Sequence, residues 1–453
     1  MNRARLILTF LLGALTAFAL LATLVRLPSV ASPNYQELAL LTNVLHLVDQ
    51  YYVEEVEQHE LIEGALEGML GVLDPHSSYL STDLYREIQL DTKGEFEGLG
   101  IEISKRERNG FVTVVAPIDG TPASRAGIRA LDEIVAVCPD ATAESCQTTE
   151  DMNLLEAVRL MRGPRGTEVM IQIMRDGWEV PRPFVIKRAS IRVSSVTLEL
   201  VEPGLPYIRL SQFQENSAKE LEEALSEAQK AAPIRGLVLD LRDNPGGLLD
   251  QAVDVADLFL DDGLIVFAEG RGGDSRNEWA AKDLGTQPGY PIVVLVNGGS
   301  ASASEIVAGA LQDHHRGLLL GTETFGKGSV QTIIPLDDGS GLRLTTALYY
   351  LPSGRTIQEV RIQPDVDVEP YSEEELAAIE KQERGRRLGE EDLRGHLPGD
   401  ATEAEEAEEA EEPEDAESGD FQKQLERDRQ LARAIDLLKS WRIFSNLDTG
   451  SAS

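Results

Sequence analysis

The spacing of hydrophobic and polar residues changes twice along the chain. Residues 34–72 carry apolar side chains at helical spacing, with polar breaks near residues 57–60, which predicts two amphipathic helices. In residues 96–188, short β-branched runs such as FVTVVAPI and EVMIQIM alternate with Gly, Pro and Asp turns. This texture predicts a compact, mostly β module. From residue 206 onward, apolar runs alternate with helical stretches, a pattern typical of a sheet covered on both faces.

Two local patterns refine this division. The β module contains one main helical stretch, TTEDMNLLEAVRLMRG, in which Thr148 and Asp151 have the spacing of a capping box. Residues 74–81, DPHSSYLS, are rich in turn-forming residues, which predicts an irregular exit from the helical segment with His76 as a solvated loop residue.

The N-terminus predicts delivery across a membrane. Arg3 and Arg5 precede an uncharged stretch at residues 6–25, and a small-residue SVA sequence ends at Ala31. The apolar stretch is long enough to span a bilayer, while Ser29 and Ala31 suit a cleavage site, so an uncleaved anchor and a cleaved signal both remain open. In either case we expect a periplasmic protein, with anchorage to the inner membrane left open.

Charge is strongly negative and unevenly distributed. The formal net charge is −36, and residues 400–420 hold 12 acidic residues and no basic one, which leaves −24 on the rest of the chain. This balance argues against a nucleic-acid partner. The acidic run is too charged and too poor in apolar residues to fold alone, whereas the stretch FQKQLERDRQLARAIDLLKSW after it is amphipathic and predicted either to pack back or to dimerise.

The two cysteines, Cys138 and Cys146, are a candidate disulfide in an exported chain, with two free thiols as the alternative. Neither lies near a histidine, and the six histidines nowhere show ligand spacing such as HExxH. We therefore expect no metal and no cofactor.

A candidate nucleophile lies between residues 294 and 311, where a strand, two glycines and three alternating serines lead into a helix. A side chain at such a turn stands out at the sheet edge, and the N–H groups at the helix start can bind an oxyanion. Ser300, Ser302 and Ser304 all compete for the role. Ser302 has an alternative reading, because with Glu305 it forms a capping-box pattern.

The candidate base is a lysine. His314 and His315 follow the serines by more than ten residues along one helix, about 15 Å or more away, and suit a capping or solvated role at the helix end. Lys327 lies between two glycines after an apolar strand that returns to the sheet edge. To act as a base it must lose its proton near neutral pH, which desolvation favours. Gln331 can bind its amine without adding negative charge. An ordinary surface lysine in a glycine loop would have the same local pattern, so both interpretations of Lys327 stay open at this point.

Two glycine-rich stretches remain. DLRDNPGG at residues 240–247 offers N–H groups at a second turn of the same sheet edge, suited to an oxyanion, although an ordinary strand-to-helix turn would look similar. GTETFGKGS departs from a phosphate-binding loop because Gly328 follows the lysine.

Taken together, these stretches resemble the carboxy-terminal processing, or tail-specific, proteases, which are PDZ-containing S41 serine peptidases. The resemblance rests on GSASASEIVAGALQD, GTETFGKGSVQ, LRDNPGGLLDQAV, ALYYLPSGRTIQ and FEGLGIEI, in that family's order and spacing, over roughly residues 40–370. It implies an α+β multidomain fold with a ClpP/crotonase-like protease core and an inserted PDZ domain. The resulting division is a signal peptide or anchor at 1–31, a helical segment at 34–90, a PDZ domain at 96–188, the protease core at 189–370 and a C-terminal helical segment at 371–453.

The resemblance assigns roles residue by residue. Ser302 becomes the nucleophile, Lys327 the general base and Gln331 the residue that orients the base. The oxyanion donors implied are the N–H of Ala303 and that of either Gly246 or Gly247.

In the PDZ-like module the resemblance implies a carboxylate-binding loop at Gly98, Leu99, Gly100 and Ile101. The N–H groups of this loop would hold a substrate's C-terminal carboxylate, and the strand from Ile101 would pair with the substrate's last residues. The chain departs from the family where Leu131-Asp132 replaces a frequent Gly-Asp and where CPDATAESC replaces a shorter turn. Arg162 and Arg165 are candidates for coupling the module to the protease.

The function expected is a serine endopeptidase that processes exported proteins with free, apolar C-termini. One alternative is an inactive PDZ scaffold or holdase in the same compartment, which predicts a replaced catalytic residue, and none is replaced. Another is a crotonase-type acyl-CoA enzyme, which leaves the PDZ module and export signal unexplained. A homo-oligomer built through the terminal helical segments is a further expectation.

Overall fold

The computed structural model describes residues 35–370, apart from residues 106–109, 119, 151, 274 and 283–284, and residues 421–449, apart from 422–424 and 426. The apolar N-terminal stretch and the acidic run therefore lie outside the described residues. Contacts divide the chain into two units, residues 1–69 and residues 70–453.

The described part of the first unit is helical. Helix α1 spans Tyr35–Tyr51, and α2 spans Gln58–Leu70, its last residue belonging to the second unit. The polar break predicted near residues 57–60 falls at the start of α2. Within the part of the chain that the structure describes, no helix is long and apolar enough to cross a membrane.

The second unit begins with the turn at residues 74–77, strand β1 (Ser78–Leu80) and helix α3 (Thr82–Thr92). The β module follows as β2 (Glu95–Gly98), β3 (Ile101–Ser104), β4 (Val112–Pro117), α4 (Pro122–Ala126), β5 (Glu133–Cys138), β6 (Gln147–Thr148), α5 (Leu154–Met161), β7 (Glu168–Met174), β8 (Arg182–Lys187) and β9 (Ala189–Arg192). Its main sheet has the order β3-β4-β5-β7-β8, so β3 lies at an edge. The module has a hydrophobic core of its own, in which Val112, Ile134 and Ile171 are fully buried.

The capping box predicted at Thr148 and Asp151 is wrong. Helix α5 begins at Leu154, where the Asn153 side chain accepts from the Glu156 N–H and the Glu156 carboxylate accepts from the Asn153 N–H, each at 2.9 Å. Thr148 belongs to β6, which pairs with β5. The pairing with β5 removes this threonine from the helix start, and the next Asn-x-x-Glu pattern takes over the cap.

The protease-like part is built around a six-stranded sheet. Its elements are β10 (Val196–Glu202), β11 (Leu205–Leu210), α6 (Ser217–Ala231), β12 (Leu237–Asp240), α7 (Leu249–Asp257), β13 (Leu264–Gly270), β14 (Arg276–Ala280), β15 (Ile292–Val296), α8 (Ala303–Asp313), β16 (Leu318–Gly321), β17 (Ser329–Pro335), β18 (Gly341–Tyr350), β19 (Val366–Asp367) and α9 (Arg429–Thr449). The strand order of the six-stranded sheet is β10-β11-β12-β15-β16-β19, and every neighbouring pair of strands from β11 to β19 is parallel.

Helices cover both faces of this sheet, as the alternating pattern predicts. Leu237 and Leu239 of β12 pack in one buried cluster with α6, α7 and α8, whereas the intervening Val238 packs on the opposite face with α9. The alternation follows from the two-residue period of a strand. The amphipathic C-terminal stretch therefore packs back onto the sheet through its apolar side.

A second sheet has the strand order β1-β18-β13-β14. Strand β17 also pairs with β18, and the two form a long hairpin. The pairing of β17 with β18 contains a bulge: Val330 lies opposite Ala347, and the next residue, Gln331, lies opposite Thr345, so Thr346 is skipped. A bulge re-aims the side chains beside it and is common near active sites.

Candidate active site

Two turns meet at one edge of the parallel sheet. Strands β12 and β15 are neighbours and parallel, so the chain leaves both at the same edge, into DNPGG at residues 243–247 and NGGSAS at residues 297–302. The Asn244 carbonyl accepts from the Ala301 N–H at 3.0 Å and from Ser304 Oγ at 2.8 Å. Ser300 Oγ donates to the Leu241 carbonyl at 2.7 Å. Two of the three competing serines thus hold the turns together through their hydroxyls.

Ser302 differs from its two neighbours. It precedes α8 with φ 54 and ψ −110, a left-handed backbone that is unusual for a residue with a side chain. It is half-buried, whereas Ala301 and Ala303 on either side are buried. Such strain persists only where surrounding contacts impose it, and it is concentrated at functional turns.

The Glu305 carboxylate joins this turn to the lysine loop. Its Oε2 accepts from the N–H of Ser302 and from the N–H of Lys327, each at 2.9 Å. Two nitrogens that are each 2.9 Å from one oxygen cannot lie more than 5.8 Å apart. Its Oε1 accepts from Thr324 Oγ1 at 2.5 Å and from the Gly326 N–H at 2.8 Å. The structure therefore brings the backbones of Ser302 and Lys327 together.

Burial makes the Glu305 carboxyl group a weaker acid than usual. The side chain has no exposed surface, and this burial raises the pKa of Glu305 to about 7, although the hydrogen bonds from Thr324, Ser302, Gly326 and Lys327 act to lower it. Burial disfavours the charged form of a carboxyl group, while donors to its oxygens favour that form. The charge of this carboxyl group therefore changes near neutral pH.

The glycine turn faces the start of α8. At Gly246, whose φ is 101, an added Cβ would lie 2.9 Å from the Cβ of Ser302 and 3.0 Å from the N of Ala303, so only glycine allows this approach. The Gly246 N–H donates to Asn244 Oδ1 at 2.9 Å. Ala303 is the first residue of α8, where a backbone N–H has no partner within the helix.

Gln331 is held by two hydroxyl groups. Its Nε2 donates to Ser329 Oγ at 3.0 Å and to Thr345 Oγ1 at 3.3 Å. The amide lies on β17, four residues after Lys327 and half-buried.

The histidine pair is placed elsewhere. His314 occupies the C-cap position of α8, and its Nε2 lies 2.7 Å from the Leu264 carbonyl oxygen. His315 follows with φ 53. A capping role at the helix end, as the sequence pattern favours, is consistent with this position. Among the described residues, no group of three or more potential ligands could hold a metal ion.

The predicted carboxylate-binding loop connects β2 to the edge strand β3. Gly100 has φ 76, and a Cβ there would lie 2.4 Å from the Cβ of Thr121, so the tight turn requires glycine. The Leu99 carbonyl accepts from the Ala123 N–H, which ties the loop to the start of α4. Gly98, Leu99 and Gly100 are buried and Ile101 begins the edge strand.

The departures noted in the sequence have local consequences. Leu131 adopts φ 66, a conformation that glycine takes without strain, and Asp132 beside it is buried and pairs with Arg175 at 2.6 Å. The structure joins Cys138 and Cys146 by a disulfide bond that closes the CPDATAESC loop. Arg162 pairs with Glu87 of α3 at 2.9 Å.

Several site residues were missed from the sequence. Glu305 was interpreted only as a cap, although a carboxylate with no exposed surface needs donors beyond its own helix. Three more residues hold the loops of the site by hydrogen bonds: Asn244, Thr324 and Gln358. The Gln358 side chain accepts from the Gly328 N–H at 2.9 Å. Buried polar residues in loops carry no periodic signal, so composition alone does not mark them.

Comparison with known proteins assigns the chain to a family. The model for peptidase family S41 matches residues 204–368, the PDZ domain model matches residues 87–174, and the model for the N-terminal domain of the activating protease CtpB matches residues 23–84. The carboxy-terminal-processing protease of Bartonella bacilliformis is 46% identical over 369 residues, which cover 81% of this chain and 82% of the relative. The chain belongs to the carboxy-terminal-processing proteases of peptidase family S41.

Two further relatives and one solved structure resemble the chain. The carboxyl-terminal-processing protease of Synechocystis is 38% identical over 74% of this chain and 81% of its own length, and carboxy-terminal processing protease CtpA of Bacillus subtilis is 35% identical over 75% and 70%. A solved photosystem II D1 C-terminal processing protease is 32% identical, covers 73% of this chain and 93% of its own, and superposes with a TM-score of 0.43. The predicted family, fold class and serine-type peptidase activity are confirmed.

Proposed function

We propose that this carboxy-terminal-processing protease cuts peptide bonds with a Ser302/Lys327 dyad. Ser302 Oγ attacks the scissile carbonyl carbon while Lys327 takes the hydroxyl proton, and Lys327 then returns that proton to the leaving amine. Water hydrolyses the acyl-enzyme ester in a second step that uses the lysine in the same way. Gln331 orients the Lys327 amine.

One observation carries this proposal: a single carboxylate oxygen of Glu305 binds the N–H groups of both Ser302 and Lys327. The two residues are 25 positions apart in sequence, and this shared acceptor keeps their backbones in contact range. The strained φ of Ser302 and its half-buried position between two buried alanines support the same assignment.

For the oxyanion we propose the N–H groups of Ala303 and Gly247. Of the two glycines that the sequence left open, Gly246 already donates its N–H to the Asn244 side chain. Gly246 instead provides the close approach to Ser302, which any side chain would prevent. Two N–H donors in a site shielded from water stabilise the negative oxygen of the tetrahedral intermediate.

We further propose that the substrates are exported proteins with free, apolar C-termini, captured by the loop at Gly98, Leu99, Gly100 and Ile101. The support is the edge position of β3, which allows a peptide to add as a further strand, and the basic and apolar N-terminus of the chain. An inactive scaffold would be expected to lack a catalytic residue, and Ser302, Lys327 and Gln331 are all present.

The dyad is tested with Ser302→Ala and Lys327→Ala. We expect each to lower kcat/KM for a peptide with an apolar free C-terminus by about a thousandfold or more, because the nucleophile or its base is gone. Melting curves should stay close to wild type. Ser353→Ala and Lys219→Ala, two exposed positions, are the matched controls and should keep full activity. Wild-type turnover by either dyad variant would show that the assignment is wrong.

A further inference from the structure

The turn at residues 74–77 packs against strand β18 of the second sheet. Asp74 and Ser77 each keep only 5% of their surface exposed, and His76 is half-buried with its carbonyl accepting from Arg343 Nε at 2.9 Å. The prediction of a solvated loop at His76 is therefore wrong, because β1 carries this turn onto β18. The proposed mechanism uses no residue of this turn.

Asp74 accepts hydrogen bonds on both carboxylate oxygens. Its Oδ1 accepts from the N–H groups of His76 and Ser77 at 2.8 Å, and its Oδ2 accepts from Ser77 Oγ at 2.7 Å. A fourth bond comes from across the sheet, since Thr345 Oγ1 donates to Asp74 Oδ1 at 3.1 Å. Burial raises the pKa of Asp74, but these donors outweigh it and leave the pKa below its usual range.

An ionised carboxylate has only acceptors, and this fixes the direction of the whole chain of hydrogen bonds. The Thr345 hydroxyl must point its hydrogen at Asp74, so its oxygen is left to accept. It accepts from Gln331 Nε2 at 3.3 Å, and Ser329 Oγ accepts from the same nitrogen. The amide nitrogen of Gln331 is thus held on the hydroxyl side, which leaves Oε1 at the other end of the amide.

The bulge between β17 and β18 makes this contact possible. In a regular ladder the residue after the Val330–Ala347 pair would lie opposite Thr346, but the bulge places Gln331 opposite Thr345. Thr346 instead pairs its hydroxyl with that of Thr332 at 2.7 Å. The bulge therefore places Gln331 opposite Thr345, the threonine whose hydroxyl donates to Asp74.

We propose that Asp74 is a positioning residue that acts through Thr345 to orient the Gln331 amide, so that Oε1 faces the amine of Lys327. The proposal rests on the proposed roles of Lys327 and Gln331. A primary amide with its oxygen toward the lysine holds the amine by accepting from an amine N–H, which leaves the nitrogen lone pair free to take the Ser302 proton. A reversed amide would donate its N–H groups to that lone pair and so compete with the proton transfer.

The test compares Asp74→Asn, Thr345→Val and Gln331→Ala in the full-length enzyme. Thr345→Val keeps the shape and the backbone N–H that donates to Ser77 Oγ, and removes only the hydroxyl. We expect each variant to lower kcat about tenfold with KM within about twofold, since the base is misplaced and substrate contacts are not. The limb of the pH profile of kcat/KM that reports the base should move in the same direction in all three.

Two further variants give the expected pattern its controls. Thr345→Ser restores the hydroxyl and should recover most of the lost kcat. Thr346→Val removes a hydroxyl from the neighbouring residue of the same strand and should leave kcat and the pH profile at wild-type values. The double variant Asp74→Asn/Gln331→Ala should be no slower than Gln331→Ala alone, because both changes interrupt one path.

The outcomes separate this proposal from the dyad itself. If Gln331→Ala is impaired while Asp74→Asn and Thr345→Val only lower the melting temperature, with wild-type kcat and pH profile, Asp74 is structural and the proposal is wrong. If Gln331→Ala has wild-type kinetics, the positioning role of Asp74 and the role of Gln331 are both wrong. The Ser302 and Lys327 variants still decide the dyad.

Discussion

The Glu305 carboxyl group accepts four hydrogen bonds in a place that water does not reach. Three of the donors are backbone N–H groups from two different turns, so this one side chain links the two turns by hydrogen bonds. A carboxylate in such a position is stabilised by its donors and destabilised by burial, and burial dominates in raising the pKa to about 7.

The raised pKa of Glu305 makes stability depend on pH. Because the folded state holds this proton up to about pH 7 while the unfolded chain releases it near its ordinary value of 4.5, the Glu305 contribution is fully present below pH 4.5 and is lost as pH rises through 7. We expect the difference in unfolding free energy between wild type and Glu305→Gln to shrink by about 2–3 kcal/mol from pH 5 to pH 8. Urea titrations at several pH values measure it.

Glu222→Gln, an exposed change on α6, is the control for this measurement and should show a pH-independent difference. A pH-independent difference for Glu305→Gln as well would mean that Glu305 is ionised throughout and that its donors outweigh burial.

At the scale of elements, helix α9 closes one face of the main sheet. Leu431, Ala434 and Leu438 are buried against β11, β12 and β15. An ion pair at the start of this segment adds to the apolar contact: Arg242 donates to Asp240 and to Asp428 at 2.6 and 2.7 Å. Arg242 lies two residues before Asn244, so the C-terminal segment is tied to the strand end that leads into the glycine turn.

Replacing Arg242 with methionine should be strongly destabilising. Asp240 has no exposed surface, and burial raises its pKa, but the charge and hydrogen bonds of Arg242 outweigh burial and hold the pKa below its usual range. Without the guanidinium a buried carboxylate loses its main partner, which is expected to lower the unfolding free energy by about 3–5 kcal/mol. Chemical denaturation measures the loss. Arg235→Met, at a more exposed ion pair with Glu202, should lose less than about 1 kcal/mol. Equal losses for the two would contradict the role given to Arg242.

The sequence predicts the elements of the main sheet well, because a strand buried on both faces reads as an apolar run such as LVL at residues 237–239 or IVVLV at residues 292–296. It also predicts that the two glycine turns share an edge, since parallel strands end together. It does not predict β14 or the β17–β18 hairpin, whose exposed residues, such as Ile333 and Ile334, follow no clear alternation. The contacts of Glu305 and Asp74 were not predictable, because each joins a local turn pattern to a residue far along the chain.

At the scale of the whole molecule, one chain combines a peptide-binding module with a cutting site. The edge strand β3 has β4 as its neighbour among the described residues, and its other side is where a substrate strand would add. The loop before β3 would then meet the substrate's terminal carboxylate. Under this proposal, capture depends on the substrate's terminal carboxylate, whereas cleavage depends on a peptide bond of the same polypeptide at Ser302.

Amidation of the substrate's C-terminus tests this capture. We expect the amide to raise KM about tenfold or more, with kcat little changed, because charge-assisted hydrogen bonds from the loop are lost before the chemical step begins. Kinetics on acid and amide forms of one peptide measure the effect. A peptide with an internal glutamate changed to glutamine loses the same charge elsewhere and serves as control. Equal KM values for acid and amide would exclude the loop as a carboxylate site.

The bond between Asp74 and Thr345 spans 271 positions of the chain. A contact of such sequence separation is among the last that a folding polypeptide can close, because both ends must exist and the loop entropy between them must be overcome. During synthesis the N-terminal turn therefore waits for the hairpin that follows Lys327. If Asp74 orients Gln331 as proposed, a nascent or truncated chain holds the nucleophile and the base without their final alignment, and full proteolytic competence comes only with completion of the fold.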